Sequence, residues 1–169
     1  LTLGALARAW FCGIWWLTQL CIGYLIGFVL FTFFGKREWT KNLLHRIATA
    51  SHRLDLRLFP GLKNKIINRH NETFEKPCVI ICNHQSMIDP AYLMALSPRI
   101  IIVANKHSSW NPIVRRMFGW LDFYTVIEDQ FEDDLPLFER YVKEGYSIAI
   151  YAEGKRNPDS TVLRFHKGA

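Results

Sequence analysis

From Ala9 to Gly35 the chain carries no charged residue: AWFCGIWWLTQLCIGYLIGFVLFTFFG. A helix rises 1.5 Å per residue, so this run reaches about 40 Å, more than the roughly 30 Å of a hydrocarbon layer. Its Trp residues and Tyr24 suit the lipid–water interfaces. A core helix apolar all round would need a larger protein to surround it. A secretory signal would be shorter and would end in small residues, which do not precede Lys36. Residues 1–35 therefore read as a membrane segment, either one crossing helix or a re-entrant helical hairpin bent at Gly23 and Gly27.

The pattern changes after Gly35. Trp39, Leu43, Ile47, Leu54 and Leu58 recur at helical spacing, with Lys41, Arg46, Arg53 and Arg57 largely elsewhere. This predicts a basic amphipathic helix over 36–61, lying along the bilayer surface and stopped by Pro60-Gly61. Residues 62–77 are polar, with the pattern of an edge strand and a turn. Residues 62–169 then alternate short apolar runs with helical ones. CVIIC, RIIIVAN, LDFYTVI and YSIAIYAE read as strands, CVIIC as a buried one. Between them PAYLMALS, NPIVRRMFG (closed by Gly119) and LPLFERYVKEG (Pro136 in its first turn, Gly145 as its stop) read as helices. The fold class is α/β, a mostly parallel sheet flanked by helices behind an N-terminal membrane helix or helical hairpin.

Charge sets orientation. The 169 residues carry a net charge of +6. Only Arg8 precedes the apolar run, whereas Lys36, Arg37, Lys41 and Arg46 follow it against Glu38. The positive-inside rule puts the remainder on the cytoplasmic face of a membrane, the inner membrane if the organism is bacterial. A cationic collar beside a membrane segment reads as attraction to anionic head groups, and no basic stripe interleaved with exposed aromatics points to nucleic acid. Cys12, Cys21, Cys78 and Cys82 form no C-x-x-C pair and read as small buried hydrophobes.

Chemistry concentrates where strands end. In such sheets ligands sit at the carboxyl ends of the strands, where NHQSMID (residues 83–89) and AEGKRN (residues 152–157) fall. If Asp89 folds back onto His84, it accepts one imidazole N–H and fixes the tautomer. The other ring nitrogen is then a general base near neutral pH, suited to deprotonating a hydroxyl. Asp89-Pro90 also reads as an N-cap and N1 pair for the following helix. His84, Asp89, His107 and His166 have no familiar metal-ligand spacing, so no metal is expected.

The stretch NHQSMID resembles the first signature of the glycerolipid acyltransferase family, the lysophosphatidic acid and glycerol-phosphate acyltransferases. YAEGKRN, from Tyr151 to Asn157, resembles that family's Glu-Gly-Thr-Arg-Ser block, and LRFHKGA its Phe-Lys-x-Gly stretch. The likeness covers roughly residues 75–169. It implies that His84 is the general base and Asp89 its orienting partner. A lipid hydroxyl would attack the thioester of acyl-CoA or acyl-carrier protein without an acyl-enzyme and without a cofactor. Asn83, Ser86, Glu153, Gly154, Lys155 and Arg156 would bind substrate, Arg156 pairing with an anionic head group. The implied acceptor is 1-acylglycerol-3-phosphate, in phospholipid synthesis.

Departures bear on that acceptor. Lys155 and Asn157 replace the Thr and Ser of the second signature. The family's Gly-x-x-Phe-x-x-Arg block finds Gly119 and Phe123, but Val126 or Ile127 stands where its arginine is expected, with Lys106 as a partial substitute. A lyso-lipid without phosphate, such as a lyso-aminolipid, is the alternative acceptor. A non-catalytic, membrane-anchored lipid-binding module is the alternative function. The chain begins without Met and stops at Ala169, before the family's Pro-containing strand block. That suggests a piece of a longer protein, with part of the acceptor pocket and acyl groove beyond it.

Overall fold

The structure, a computed structural model, describes residues 2–105, 111–126, 131–157, 159 and 161–165. Helix α1 (Leu3–Phe34) is capped by Thr2, whose side chain accepts from the Ala5 N–H. It runs unbroken to Gly35, where φ is 71°. At 1.5 Å per residue it spans about 48 Å, long and apolar enough to cross a membrane. No hairpin forms at Gly23 or Gly27. Gly27 serves close packing: Tyr24 and Phe31 flank the Trp120 ring, with centroids 5.3 and 5.6 Å away, and Gly27 lies directly against it.

Helix α2 (Glu38–Leu58) keeps much of its apolar stripe on the outside. Thr40, Lys41, Leu44, His45, Thr49 and Asp55 are buried, whereas Trp39, Leu43, Leu54 and Leu58 stay exposed beside Arg46, Arg53 and Arg57. The polar face turns inward because it meets polar partners there. Asp55, 2% exposed, accepts from Trp15 Nε1 at 2.7 Å and Gln19 Nε2 at 2.9 Å, and its other oxygen pairs with His52 Nδ1 at 3.0 Å. Ser51 donates to Gln19 Oε1. This clasp fixes α2 against α1, and its groups are satisfied as buried polar groups must be.

A sheet of four parallel strands follows, in the order β1-β4-β2-β3. The strands are β1 (Val79–Cys82), β2 (Ile100–Asn105), β3 (Tyr124–Val126) and β4 (Ser147–Tyr151). The connecting helices are α3 (Asp89–Leu96), α4 (Pro112–Trp120) and α5 (Phe131–Lys143). Alternation along β2 separates two cores. Ile100 and Ile102 pack with Leu44, Leu93, Met94 and Trp120, while Ile101 and Val103 pack with Phe138, Tyr141 and Ile148. The sheet is thus covered by α5 on one face and by the remaining helices on the other.

Several boundaries differ from expectation. Residues 62–77 form turns and irregular structure with no strand. Strand β1 lies at the sheet edge, leaving Val79 and Ile81 62% and 56% exposed rather than buried. Helix α4 continues through Gly119 to Trp120, and α5 starts early enough that Pro136 falls inside it. None of the four free thiols is fully buried, and Cys21 is exposed on α1.

Below the amino ends of β3 and β4 lies a buried polar cluster. Asp122, at φ 52°, pairs with Lys36 at 2.7 Å and Lys41 at 3.0 Å. Burial disfavours both charges, but the ion pairs and the Glu38 hydrogen bond outweigh it. The Lys41 ammonium is held above its ordinary range and the Asp122 carboxyl below it. His45 sits beside them, 3% exposed and 5.7 Å from the Tyr146 ring. Burial lowers its pKa from 6.5 to about 4, against the opposing pull of Asp122.

Two outcomes follow. A Cβ at Gly27 would stand 2.5 Å from a Trp120 ring carbon, whereas one at Gly23 meets only Met117 at 3.5 Å. Gly27→Val is expected to destabilise the detergent-solubilised protein by about 1–3 kcal/mol, with Gly23→Ala neutral or stabilising, in thermal unfolding. His45 binds its proton in the unfolded chain before the folded one. Stability is therefore complete above pH 6.5 and falls toward pH 4, by on the order of 3 kcal/mol at the full shift. Denaturant midpoints at pH 7.5 and 5 should differ less in His45→Gln than in the wild type.

Candidate active site

Two strand ends build the site. Strands β1 and β4 pair in parallel with Cys82 opposite Tyr151, so the segments leaving them start side by side. The Asn157 N–H then donates to the His84 carbonyl at 2.8 Å, tying the second segment to the first.

Asp89 folds back as its spacing suggests. Its Oδ2 lies 2.8 Å from His84 Nδ1 and also accepts the Gln85 and Ser86 N–H groups at 2.7 and 2.8 Å. Facing an acceptor-only carboxylate oxygen, His84 Nδ1 carries the proton, and Nε2 is left with its lone pair. Among the described residues nothing hydrogen-bonds Nε2. The N-cap expectation is corrected: Ile88 holds that position without a side-chain cap, and Asp89 is the first residue of α3. Its carboxylate satisfies the loop before the helix instead of the helix's own N–H groups. An imidazole oriented by a carboxylate that backbone donors in turn orient can accept a proton from a bound hydroxyl.

The other expected site residues fall in two groups. Asn83 and Ser86 are exposed on the β1–α3 loop, and the Ser86 hydroxyl accepts the Ile88 N–H at 3.3 Å. Gly154, Lys155 and Arg156 are exposed on the turn after β4. Gly154 has φ 66°, and its N–H donates to the Tyr151 carbonyl at 2.9 Å; a left-handed turn of this kind favours glycine. Glu153 points inward. It is 1% exposed, and its Oε2 accepts the Leu163 N–H at 3.2 Å, bracing the chain that follows.

Two neighbours were not singled out by sequence reasoning. The Tyr151 ring stacks on the His84 imidazole, with centroids 4.2 Å apart and planes 22° from parallel. Burial, reinforced by the Asp89 charge, pushes the Tyr151 phenol far above its ordinary range, so it stays neutral. The same two causes raise the Cys82 thiol. Asn157, 6% exposed, donates through Nδ2 to the Thr161 carbonyl and hydroxyl at 2.7 and 2.8 Å, closing the turn behind Arg156. The signal for Tyr151 lies in strand register: it ends the strand that pairs with β1. Lys106, His107, Ile127 and His166, with the rest of HKGA, lie outside the described residues. Among the described residues no group of three or more His, Cys, Asp or Glu side chains could hold a metal ion.

A family model described as Acyltransferase matches residues 63–169. The chain is 32% identical over 123 residues to 1-acyl-sn-glycerol-3-phosphate acyltransferase beta of Homo sapiens, covering 66% of this chain and 42% of that protein. It is 26% identical over 112 residues to 1-acyl-sn-glycerol-3-phosphate acyltransferase of Cocos nucifera, covering 63% of this chain and 36% of that protein. The chain thus spans less than half the length of each of these relatives. No solved structure matches it significantly.

Proposed function

Since the chain belongs to the Acyltransferase family, we propose that it forms the catalytic part of a membrane-bound O-acyltransferase that esterifies a lyso-lipid hydroxyl. The observation that carries this reading is the His84–Asp89 pair with its unoccupied Nε2. The acceptor hydroxyl binds against Nε2 and attacks the thioester carbonyl of acyl-CoA or acyl-carrier protein. Nε2 takes the hydroxyl proton, Asp89 stabilises the resulting imidazolium, and the C–S bond breaks. The proton then passes to the departing thiolate. Ester and thiol are the products, and His84 returns to its starting form. Thiolate is a good leaving group, so the scheme calls for no cofactor or metal.

1-Acylglycerol-3-phosphate is the acceptor that the names of the relatives favour. Arg156, exposed one residue before Asn157, is the cation suited to its phosphate, with Lys155 beside it. Asn83 and Ser86, exposed on the β1–α3 loop beside His84, complete the proposed substrate-binding set. Glu153 and Gly154 shape the turn that carries Arg156. One observation favours a second acceptor: Val126, the last residue of β3, or Ile127 stands where the resembling family pattern leads to an arginine. A lyso-lipid without phosphate, such as a lyso-aminolipid, needs no such cation.

Helix α1 supports membrane attachment, since most of its apolar surface is exposed. The outward stripe of α2, with Trp39, Leu43 and Leu54 beside three arginines, suits the level of anionic head groups. In this arrangement residues 1–35 enter the bilayer, 36–61 lie on it, and the α/β part over 62–169 works at its cytoplasmic face.

Membranes containing the intact protein should transfer labelled acyl groups from acyl-CoA or acyl-carrier protein to one of a panel of lyso-lipids, with the product identified by mass. His84→Ala is expected to abolish transfer. Asp89→Asn, whose amide can donate to Nδ1 and favour the wrong tautomer, is expected to lower kcat by roughly 10²- to 10⁴-fold. Full activity of His84→Ala would refute the base assignment. Lyso-lipid binding without thioester turnover would identify a binding module instead.

A further inference from the structure

The Asp89 contact leaves one freedom in the imidazole. A single hydrogen bond at Nδ1 fixes the ring's tautomer and one end, but the ring can still tilt about that bond. The Tyr151 ring removes this freedom. It lies 4.2 Å from the imidazole, face to face within 22°, and its backbone is held at two points. Its backbone ends β4 in register with Cys82, two residues before His84. Its carbonyl receives the Gly154 N–H at 2.9 Å. Its hydroxyl oxygen is buried and finds no hydrogen-bond partner among the described residues.

That orphaned hydroxyl is informative. A buried phenol without a partner costs free energy, and a phenylalanine would avoid the cost. The feature of Tyr151 that meets the histidine is the ring face. An aromatic face also attracts a cation lying over it, so the stack favours the imidazolium that exists while the acceptor's proton is held.

We propose that Tyr151 is a positioning residue for acyl transfer, its ring forming the floor that holds the His84 imidazole in the plane from which Nε2 meets the acceptor hydroxyl. This rests on the reading of His84 as the base. The turn that carries Arg156 hangs from the same residue, through the Gly154–Tyr151 hydrogen bond. The plane of the base and the start of the head-group turn therefore share one anchor.

The test is steady-state kinetics in membranes on Tyr151→Phe, Tyr151→Leu and Tyr151→Met, with His84→Ala in the same assay and thermal unfolding of each purified protein. Tyr151→Phe keeps the face and should hold kcat within about threefold of the wild type. Tyr151→Leu should lower kcat by on the order of 10²-fold at little-changed KM, because the imidazole loses its plane while the binding surfaces remain. Tyr151→Met fills the space without an aromatic face and should match Tyr151→Leu; it replaces that variant if leucine prevents folding. Wild-type kcat in folded Tyr151→Leu or Tyr151→Met overturns the proposal. So does equal loss in Tyr151→Phe, which would assign the effect to the hydroxyl. An inactive His84→Ala beside a fully active Tyr151→Leu leaves the base in place and removes only the positioning role. An active His84→Ala removes both.

Discussion

Asp89 Oδ2 accepts three hydrogen bonds, one from the His84 ring and two from the Gln85 and Ser86 backbone, all between 2.7 and 2.8 Å. The rest of the site depends on this convergence. The two backbone donors give the carboxylate one orientation and wrap residues 83–88 into a tight loop, so the imidazole meets an oxygen already fixed in place. Charge-assisted bonds of this kind are stronger than neutral ones. The loop can form only because β1 ends at Cys82 and α3 begins at Asp89, which leaves six residues to reverse direction. The pairing of β1 with β4 then sets the second loop beside the first, and the Asn157–His84 backbone bond locks that relation.

Polarity is arranged unusually on the helical side. α2 buries its polar residues and shows its larger apolar ones, the reverse of a helix docked on a soluble core. The cause is local. Asp55 answers Trp15, Gln19 and His52, while Lys41 answers Asp122 and Glu38. Asp55 and Lys41 thus have charged or polar partners, which makes their burial tolerable, while the outward stripe is free to face lipid. The same contacts connect α1 to the α/β part. Lys36, immediately beyond α1, bonds Asp122 at the entry to β3, and Gly27 admits Trp120 from the end of α4. The apolar helix is therefore packed on the domain rather than joined to it by a loose tether.

Much of this was legible in the chain. The four strands and the helices between them follow from apolar runs of strand length bounded by Gly, Pro and Asn, and the structure places all of them within a few residues. The fold-back of Asp89 follows from its five-residue spacing to His84. The apolar stripe of α2 was legible from its periodicity, but what its polar side packs against was not. Pairing with Asp55 and Asp122 decides that, and those residues are tens of positions from their partners. The bend offered by Gly23 and Gly27 was equally open until Trp120 was seen to occupy the space. Strand β1 read as buried because its four residues are apolar, yet order in the sheet places it at the edge. Tyr151 escaped notice because its importance comes from strand register, which no single segment contains.

The central claim is that His84 presents a bare Nε2 to the acceptor because Asp89 holds the proton on Nδ1. Nitrogen-15 NMR of the histidine-labelled protein near neutral pH, with His84→Gln to assign the signal, reads the tautomer directly. The account predicts that the neutral His84 ring carries its proton at Nδ1 and not at Nε2, and that Asp89→Asn loses that preference. A neutral ring protonated at Nε2, or a tautomer indifferent to Asp89→Asn, would contradict it.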